Sequence, residues 1–134
     1  MNNITSPATD DNAIEREIQA KGKTAPRVTP ADLQANIVSA HYFTAMDGVV
    51  GYWCLGSDNP LHATPASPAD RTALNLLTFC VLVLKNGFTI TGESACASPE
   101  NFDPEIGRKI ARQNAEQKIW ALMGYALKEK LAAV

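Results

Sequence analysis

The sequence predicts an α+β fold, in which an antiparallel β-sheet with a central Asn-Gly hairpin packs against a long C-terminal helix and shorter N-terminal helices. Two observations lead to this prediction. An apolar run over residues 76–85 is followed by Asn86-Gly87 and by a second strand-like run, a pattern typical of a β-hairpin. A helical pattern then begins at Asp103 and continues to about Leu131.

The composition indicates a globular chain of domain size. The chain has 134 residues, of which 46% are hydrophobic and 19% are charged, and this supplies enough apolar material for one core. We divide the chain into a flexible leader with a short helix, residues 1–28, and a single α+β domain, residues 29–134.

Charge and hydropathy argue against several classes of protein. With 12 basic and 14 acidic residues the net charge is −2, which disfavours binding to duplex nucleic acid by counterion release. No apolar run reaches the ~20 residues of a membrane span, and the polar N-terminus lacks the apolar segment of a signal peptide. We therefore expect a cytoplasmic protein with no membrane or duplex nucleic-acid partner.

The residues that most often carry chemistry are sparse. Cys54, Cys80 and Cys96 are widely spaced, which predicts reduced thiols without a disulfide framework or a metal site. His41 and His62 are the only histidines, and no spacing places a base beside a nucleophile. Glycine-rich phosphate loops are also absent. We therefore predict a protein that is not an enzyme, with no catalytic residue, no metal and no cofactor.

Two short helices are predicted in the N-terminal part. Residues 10–21 have the pattern of a helix that Gly22 would end. The second helix has Thr29 as its N-cap, Pro30 in its first position and Asp32 in its first turn.

Two strands and a long loop are predicted next. Residues 38–43 are rich in β-branched and aromatic side chains, Asp47-Gly48 is a turn pair, and residues 49–55 resemble a second strand. Residues 56–70 contain three prolines and are predicted to form a loop.

The Asn-Gly pair predicts a two-residue type I′ turn, which would place Lys85 opposite Phe88 and Leu84 opposite Thr89. The first strand of this hairpin is apolar on both faces, so we expect it to be central in the sheet and covered on both sides. A helix layer would cover one face of this strand, and a further layer or a second subunit would cover the other.

The C-terminal helix is predicted to start at Asp103, with Pro104 in its first position. Its apolar residues form two stripes on roughly opposite sides. The first contains Ile106 and Ile110, and the second contains Ile119, Leu122, Met123 and Ala126. This pattern predicts a kinked helix or a helix that packs against two different bodies.

Arg108 and Arg112 are four residues apart and therefore lie on one face of this helix, near its N-terminus. Two guanidinium groups on adjacent turns suit a phosphate or a diphosphate. Alternatively, these arginines are ordinary solvated charges paired with Glu105, with Glu116 or with a neighbouring subunit.

Two other places are candidates for ligand contact. Phe88 lies next to the hairpin turn beside Lys85, where it is suited either to stacking on a base or to packing in a core or an interface. The small and polar residues 92–101 connect a strand to a helix, and ligands often bind at such connections.

Residues 78–131 contain the motifs L-K-N-G-F, G-E-S-A, S-P-E-N-F-D and E-I-G-R-K-I-A-R. In these motifs the chain resembles a family of small phage and prophage proteins, which we connect to the type-one Thoeris anti-defence proteins. The resemblance implies a phage protein that sequesters a cyclic ADP-ribose-type immune signal, and in some members cyclic oligonucleotides, without cleaving the ligand. It further implies homo-oligomers, dimers or hexamers, that hold the ligand at subunit boundaries.

The resemblance also assigns roles to residues of the 29–134 domain, which it makes a ligand-binding domain. It implies that Arg108 and Arg112 bind phosphate and that an aromatic side chain, for which we select Phe88, stacks on adenine. Polar residues expected to line the site are Thr91, Ser94 and Asn101.

Two other functions remain open. A phage structural protein or a protein that binds a host protein would use its apolar surfaces for assembly and its arginine pair for interface salt bridges. A hydrolase of the immune signal would release a cleaved product.

Overall fold

The computed structural model describes residues 10–56 and 63–134 and has the predicted α+β architecture. The elements in chain order are α1 (Asp11–Ala20), α2 (Pro30–Ala35), β1 (Ile37–Thr44), α3 (Ala45–Cys54), α4 (Pro68–Asn75), β2 (Leu77–Leu84), β3 (Thr89–Ala95), a short 3-10 helix (Pro99–Asn101) and α5 (Pro104–Ala132). The three strands form an antiparallel sheet in the order β1-β2-β3, so the predicted central position of β2 is confirmed.

The helices begin where side chains satisfy the free N–H groups of the first turn. The Asp10 carboxylate caps α1, and Gly22, with a φ of 67°, follows its end as predicted. In α2, α3 and α4 a hydroxyl and a carboxylate three residues apart cap each other's backbone N–H groups. These pairs are Thr29 and Asp32, Thr44 and Asp47, and Ser67 and Asp70.

The strand predicted over residues 49–55 is wrong, because this segment belongs to α3. Its β-branched and aromatic side chains favour a strand, but the reciprocal hydrogen bonds between Thr44 and Asp47 start a helix there. Asp47-Gly48 consequently lies inside the helix and is not a turn. The loop predicted over residues 56–70 is also too long, since α4 begins at Pro68, and residues 57–62 lie outside the described part.

The hairpin between β2 and β3 forms as predicted, but with a different loop. The Leu84 N–H donates to the Phe88 carbonyl at 2.9 Å, and the Gly87 N–H donates to the Leu84 carbonyl at 2.8 Å. Three residues therefore form the loop, and Gly87 has a φ of 87°. This is the geometry of a turn closed by a left-handed glycine, and it shifts the register by one residue, so that Val83 faces Thr89.

The core lies between β2 and α5. On the sheet side it contains Cys80, Leu82 and Leu84, and α2 adds Leu33. The buried residues of α5 form one stripe at four-residue spacing, namely Gly107, Ala111, Ala115 and Ile119. The two opposite stripes predicted for this helix are therefore wrong, since Ile106 is 36% and Leu122 is 39% exposed. Small side chains let α5 lie directly against the sheet.

Gly92 of β3 is the point of closest approach between sheet and helix. A Cβ atom at this position would lie 2.1 Å from the Ala111 carbonyl oxygen and 2.3 Å from the Ala115 nitrogen. Because both of these are backbone atoms, a side chain at Gly92 cannot be accommodated by a rotamer change. The absence of a side chain here sets the distance between α5 and the sheet.

The second face of β2 is also apolar, and its residues Leu77, Phe79, Val81 and Val83 are half-buried. Helices α3 and α4 contact β2, and the Phe79 ring lies 5.6 Å from the Phe43 ring, measured between centroids. The face toward α5 is fully buried, whereas the second face is not.

An ion pair between Glu15 and Arg27 fastens α1 to the chain that follows it. One contact joins Arg27 Nη2 to Glu15 Oε2 at 2.6 Å, and a second joins Nη1 to Oε1. The side chains are 23% and 15% exposed, for Arg27 and Glu15 respectively. The hydrogen bond from Arg27 lowers the pKa of Glu15 from 4.5 to about 2.

Acid is therefore expected to release α1. Because the pKa of Glu15 is lower in the folded state, its stabilising contribution is complete above about pH 4.5 and is lost as the pH falls toward 2. The protection factors of the α1 amides, which are corrected for the intrinsic exchange rate at each pH, should fall over this interval, and in Glu15→Gln they should be low at neutral pH as well. Glu17→Gln, which affects only an exposed pair with Lys21, is the matched control. Unchanged protection of α1 in Glu15→Gln would contradict this role.

Candidate functional site

A cleft lies between the edge strand β1 and the N-terminal part of α5. Helix α5 packs over β3 and β2, so the same side of β1 borders the flank of the helix. The space there measures about 120 Å³. We call it the β1–α5 cleft, and the lining residues that matter here are Tyr42, Phe43, Asp47, Thr78, Phe102 and Arg108.

Arg112 lies one helical turn beyond Arg108 and is held in place by three neighbours. Its Nε donates to Glu116 Oε1 at 2.6 Å, and its Nη2 donates to the Gln34 side-chain oxygen at 3.5 Å. A hydrogen bond with Tyr42, followed in size by that with Glu116, raises the pKa of Arg112. Tyr42 thus lines the cleft together with Arg108 and also binds Arg112.

Arg108 has a different environment, because it is exposed and has no hydrogen bond or ion pair within residues 10–56 and 63–134. The alternative of ordinary ion pairs therefore applies to one member of the pair. Glu116 neutralises Arg112, whereas Glu105 binds Lys109 at 3.4 Å and not Arg108. The cleft is consequently lined by the unpaired guanidinium of Arg108, and the anchored guanidinium of Arg112 lies one turn further along α5.

Thr78 borders the cleft and has a buried, unpaired hydroxyl next to Gly107 of α5. Its side chain is 3% exposed, and its Oγ1 has no hydrogen-bond partner in the described part of the chain. A buried hydroxyl without a partner costs stability. Ser94, which is opposite Thr78 on β3, is 2% exposed and has an unpaired hydroxyl as well.

The other residues predicted for the site are distributed over the fold. Ser94 lies under the first turns of α5 and is the β3 neighbour of Thr78. Asn101 is exposed in the 3-10 helix just before Phe102. Thr91 is on the opposite face of the sheet from α5, where its hydroxyl contacts Glu93 at 3.4 Å.

Phe88 is 54% exposed at the hairpin loop, which is at the far end of the sheet from Arg108. The contacts of α5 show this separation, since Gly107 approaches Thr78 and Lys118 reaches the Thr91 carbonyl closer to the hairpin. One chain therefore brings Arg108 and Arg112 together but does not bring Phe88 or Thr91 to them.

The sequence did not identify the aromatic side chains of the cleft, Tyr42 and Phe102. Tyr42 belongs to the strand predicted over residues 38–43, but its proximity to α5 depends on the sheet order. Phe102 directly precedes Asp103, the N-cap of the helix that carries the arginines. Its place in the S-P-E-N-F-D motif was the signal that could have identified it.

The described residues contain no group of three or more His, Cys, Asp or Glu side chains able to hold a metal ion, and no helix in them is long and apolar enough to cross a membrane.

The histidines and cysteines have no shared site in the described residues. His41 is exposed and contacts the Ser39 hydroxyl at 3.1 Å, while His62 lies outside the described residues. The prediction of free cysteines is confirmed, and burial raises the pKa of the Cys80 thiol.

Comparison with known proteins defines the class of this chain as a small phage protein. A family model matches residues 28–131, a range that includes α2 to nearly the end of α5 and the whole cleft. The chain belongs to the phage protein (N4 Gp49/phage Sf6 gene 66) family. Neither a search of curated proteins nor a search of solved structures found a significant match. The expectation of a small phage protein family is thereby confirmed, while the match does not show the type-one Thoeris anti-defence kind or any biochemical activity.

Proposed function

We propose that this phage protein binds and sequesters a cyclic nucleotide immune signal, as its resemblance to the type-one Thoeris anti-defence proteins implies. The ligand is a cyclic ADP-ribose isomer or a cyclic oligonucleotide, and it is released uncleaved. The observation that carries the proposal is the unpaired Arg108 beside the anchored Arg112 and Tyr42. This activity would be exerted in the cytoplasm of the infected bacterium.

The chemistry of the cleft suits a phosphorylated nucleoside. Two guanidinium groups on adjacent turns present donors to the oxygens of a diphosphate, and the N-terminal end of α5 favours an anion. Tyr42 and Phe102 provide aromatic surface for a base. The one carboxylate of the lining, Asp47, accepts the Thr44 backbone N–H at 2.8 Å, so it has a structural task in helix capping.

The β1–α5 cleft of one chain is smaller than a typical ligand site, so the proposed assembly would have to complete it. Small-molecule sites typically measure about 300–1,000 Å³, whereas the β1–α5 cleft measures about 120 Å³. Tyr42 is 36% exposed at its edge. In the proposed dimer or hexamer, a second copy that covers this side chain would complete the site.

Thermal unfolding with a panel of cyclic ADP-ribose isomers and cyclic di- and trinucleotides tests the proposal. We expect one ligand to raise Tm by several degrees, because a ligand at 100 times its Kd adds about 2.7 kcal/mol to the stability of the folded state. The ligand recovered after heat denaturation should be intact. Recovery of a cleaved product would instead indicate a hydrolase, and no shift with any ligand would contradict sequestration.

The second candidate is a structural protein or a protein that binds a host protein, and the surface of α3 favours it. This helix is apolar and has no buried residue. Val50 is 49% exposed, Trp53 is 38% exposed, and Leu55, just beyond its end, is 79% exposed. An assembly protein of this kind would bind through α3 and would not respond to the nucleotide panel.

A further inference from the structure

A second cavity lies at the opposite end of α5 from the β1–α5 cleft. It is bounded by α2, by the β2–β3 hairpin loop and by the last turns of α5, and it measures about 420 Å³. We call it the α2–α5 cavity. Its volume is in the range typical of sites for small organic molecules.

Two lysines from different elements line this cavity. Lys85 belongs to the hairpin loop and Lys130 to the last turn of α5, and neither has an ion pair within the described parts of the chain. The third cation of the lining, Arg27, is neutralised by Glu15. Asp32, the one acidic residue of the lining, accepts the Thr29 backbone N–H at 3.0 Å. Lys85 and Lys130 thus have no ion-pair partner among the described residues, and Asp32, whose pKa is lowered by its hydrogen bonds with Thr29, adds one negative charge to the lining.

The hairpin loop is fixed relative to α2 by Asn36. The Lys85 backbone N–H donates to the Asn36 carbonyl at 3.0 Å and to the Asn36 Oδ1 at 3.2 Å. Because Oδ1 is used in this way, the Nδ2 group remains as a donor, and it has no partner among the described residues. The cavity thus combines two ammonium groups with the amide donor of Asn36, which holds the hairpin loop through hydrogen bonds.

The opposite wall of the cavity is apolar and consists of Met123, Ala126 and Leu127 of α5. A ligand that matches both walls has an anionic head and an apolar body. Two ammonium groups match the two negative charges of a phosphomonoester better than the single charge of a carboxylate. We propose that the α2–α5 cavity binds a small phosphomonoester with an aromatic or apolar body, independently of the β1–α5 cleft.

The test uses 1-naphthyl phosphate, titrated into the full chain and followed by the backbone amide shifts of Asn36 and Lys85. We expect saturable binding with a Kd below about 1 mM. Inorganic phosphate and 1-naphthol, each of which contains one half of the probe, should bind at least about tenfold more weakly. Equal binding of inorganic phosphate alone would overturn the proposal, since the apolar wall would then contribute nothing.

Variants locate the site. Lys85→Ala and Lys130→Ala should each weaken binding of 1-naphthyl phosphate at least about fivefold, because each removes one charge-assisted contact. Lys128→Ala removes an exposed lysine of the same helix that does not line the cavity, so its Kd should be unchanged. Lys130 also balances the α5 dipole, so Tm is measured for every variant to separate binding from stability. Binding that survives both lysine changes, or that disappears in Arg108→Ala, would overturn the proposal.

Discussion

Replacement of Gly92 by alanine is expected to destabilise the protein by more than about 3 kcal/mol, toward the upper end of the cost of overpacking a core. The new Cβ would lie 2.1 Å from the Ala111 carbonyl oxygen and 2.9 Å from the Ala115 Cα. Helix α5 must then move away from β3, which opens the core around Leu82. Small domains have a stability of about 5–15 kcal/mol, so a large share would be lost. Urea unfolding followed by circular dichroism measures the change.

Gly124→Ala is the matched control for Gly92→Ala. Gly124 belongs to α5, is exposed, and has no heavy atom within 4 Å of the position that an added methyl group would take. Alanine there should stabilise the helix by about 0.5–1 kcal/mol, because alanine has the higher helix propensity. If Gly92→Ala unfolded at the same urea concentration as the unchanged chain, the close approach of α5 to β3 would be refuted.

Arg108→Ala is expected to abolish the rise in Tm given by the most effective ligand of the nucleotide panel. Hydrogen bonds to charged groups contribute about 1.5–3 kcal/mol each, so the loss of a guanidinium fork should weaken binding by roughly 100-fold. Arg108 has no partner in residues 10–56 and 63–134, so its removal should leave the Tm without ligand unchanged. Arg112→Ala should also abolish binding, but with some loss of stability, since it breaks the contacts to Glu116 and Gln34.

Two companion variants sharpen the arginine test. Lys109→Ala removes the neighbouring positive charge, which is paired with Glu105 on the helix surface, and should bind ligand normally. Arg108→Lys keeps the charge but loses the planar fork, so its affinity should lie between those of the unchanged chain and Arg108→Ala. Undiminished ligand capture by Arg108→Ala would exclude the β1–α5 cleft as the binding site.

The elements that could be predicted from the sequence are those specified by local chemistry. Thr29-Pro30 begins a helix, and Asp103-Pro104 begins another, because a capping side chain followed by proline satisfies the first turn. The same chemistry explains the error at α3. The composition of this segment favours a strand. The capping pair of Thr44 and Asp47, which needs only two side chains three residues apart, starts a helix instead.

The hairpin register could not be settled by the Asn-Gly pair alone. A two-residue loop and a three-residue loop are both compatible with a glycine at position 87. In the structure, the Lys85 N–H is bound by Asn36, a residue far away in sequence. This tertiary contact accompanies the three-residue loop, and it cannot be predicted from the sequence of the hairpin alone.

The candidate site shows the same division between local and tertiary information. The spacing of Arg108 and Arg112 is enough to place both on one side of α5. The spacing does not identify the aromatic partner, because Tyr42 approaches the arginines only when β1 forms the edge of the sheet beside α5. The position of Phe88 beside a turn favours it as a stacking residue, whereas the neighbours of Arg108 come from β1 and from the segment before α5.

The placement of α5 after the sheet has a consequence for synthesis on the ribosome. Strand β2 is apolar on both faces, and the residues that bury one of them, Ala111, Ala115 and Ile119, are translated later. At bacterial translation rates this interval is on the order of seconds. During that time the nascent hairpin can form but has no cover, so it is exposed to chaperones and to neighbouring nascent chains. Completion of the core is therefore a late event in the production of this protein.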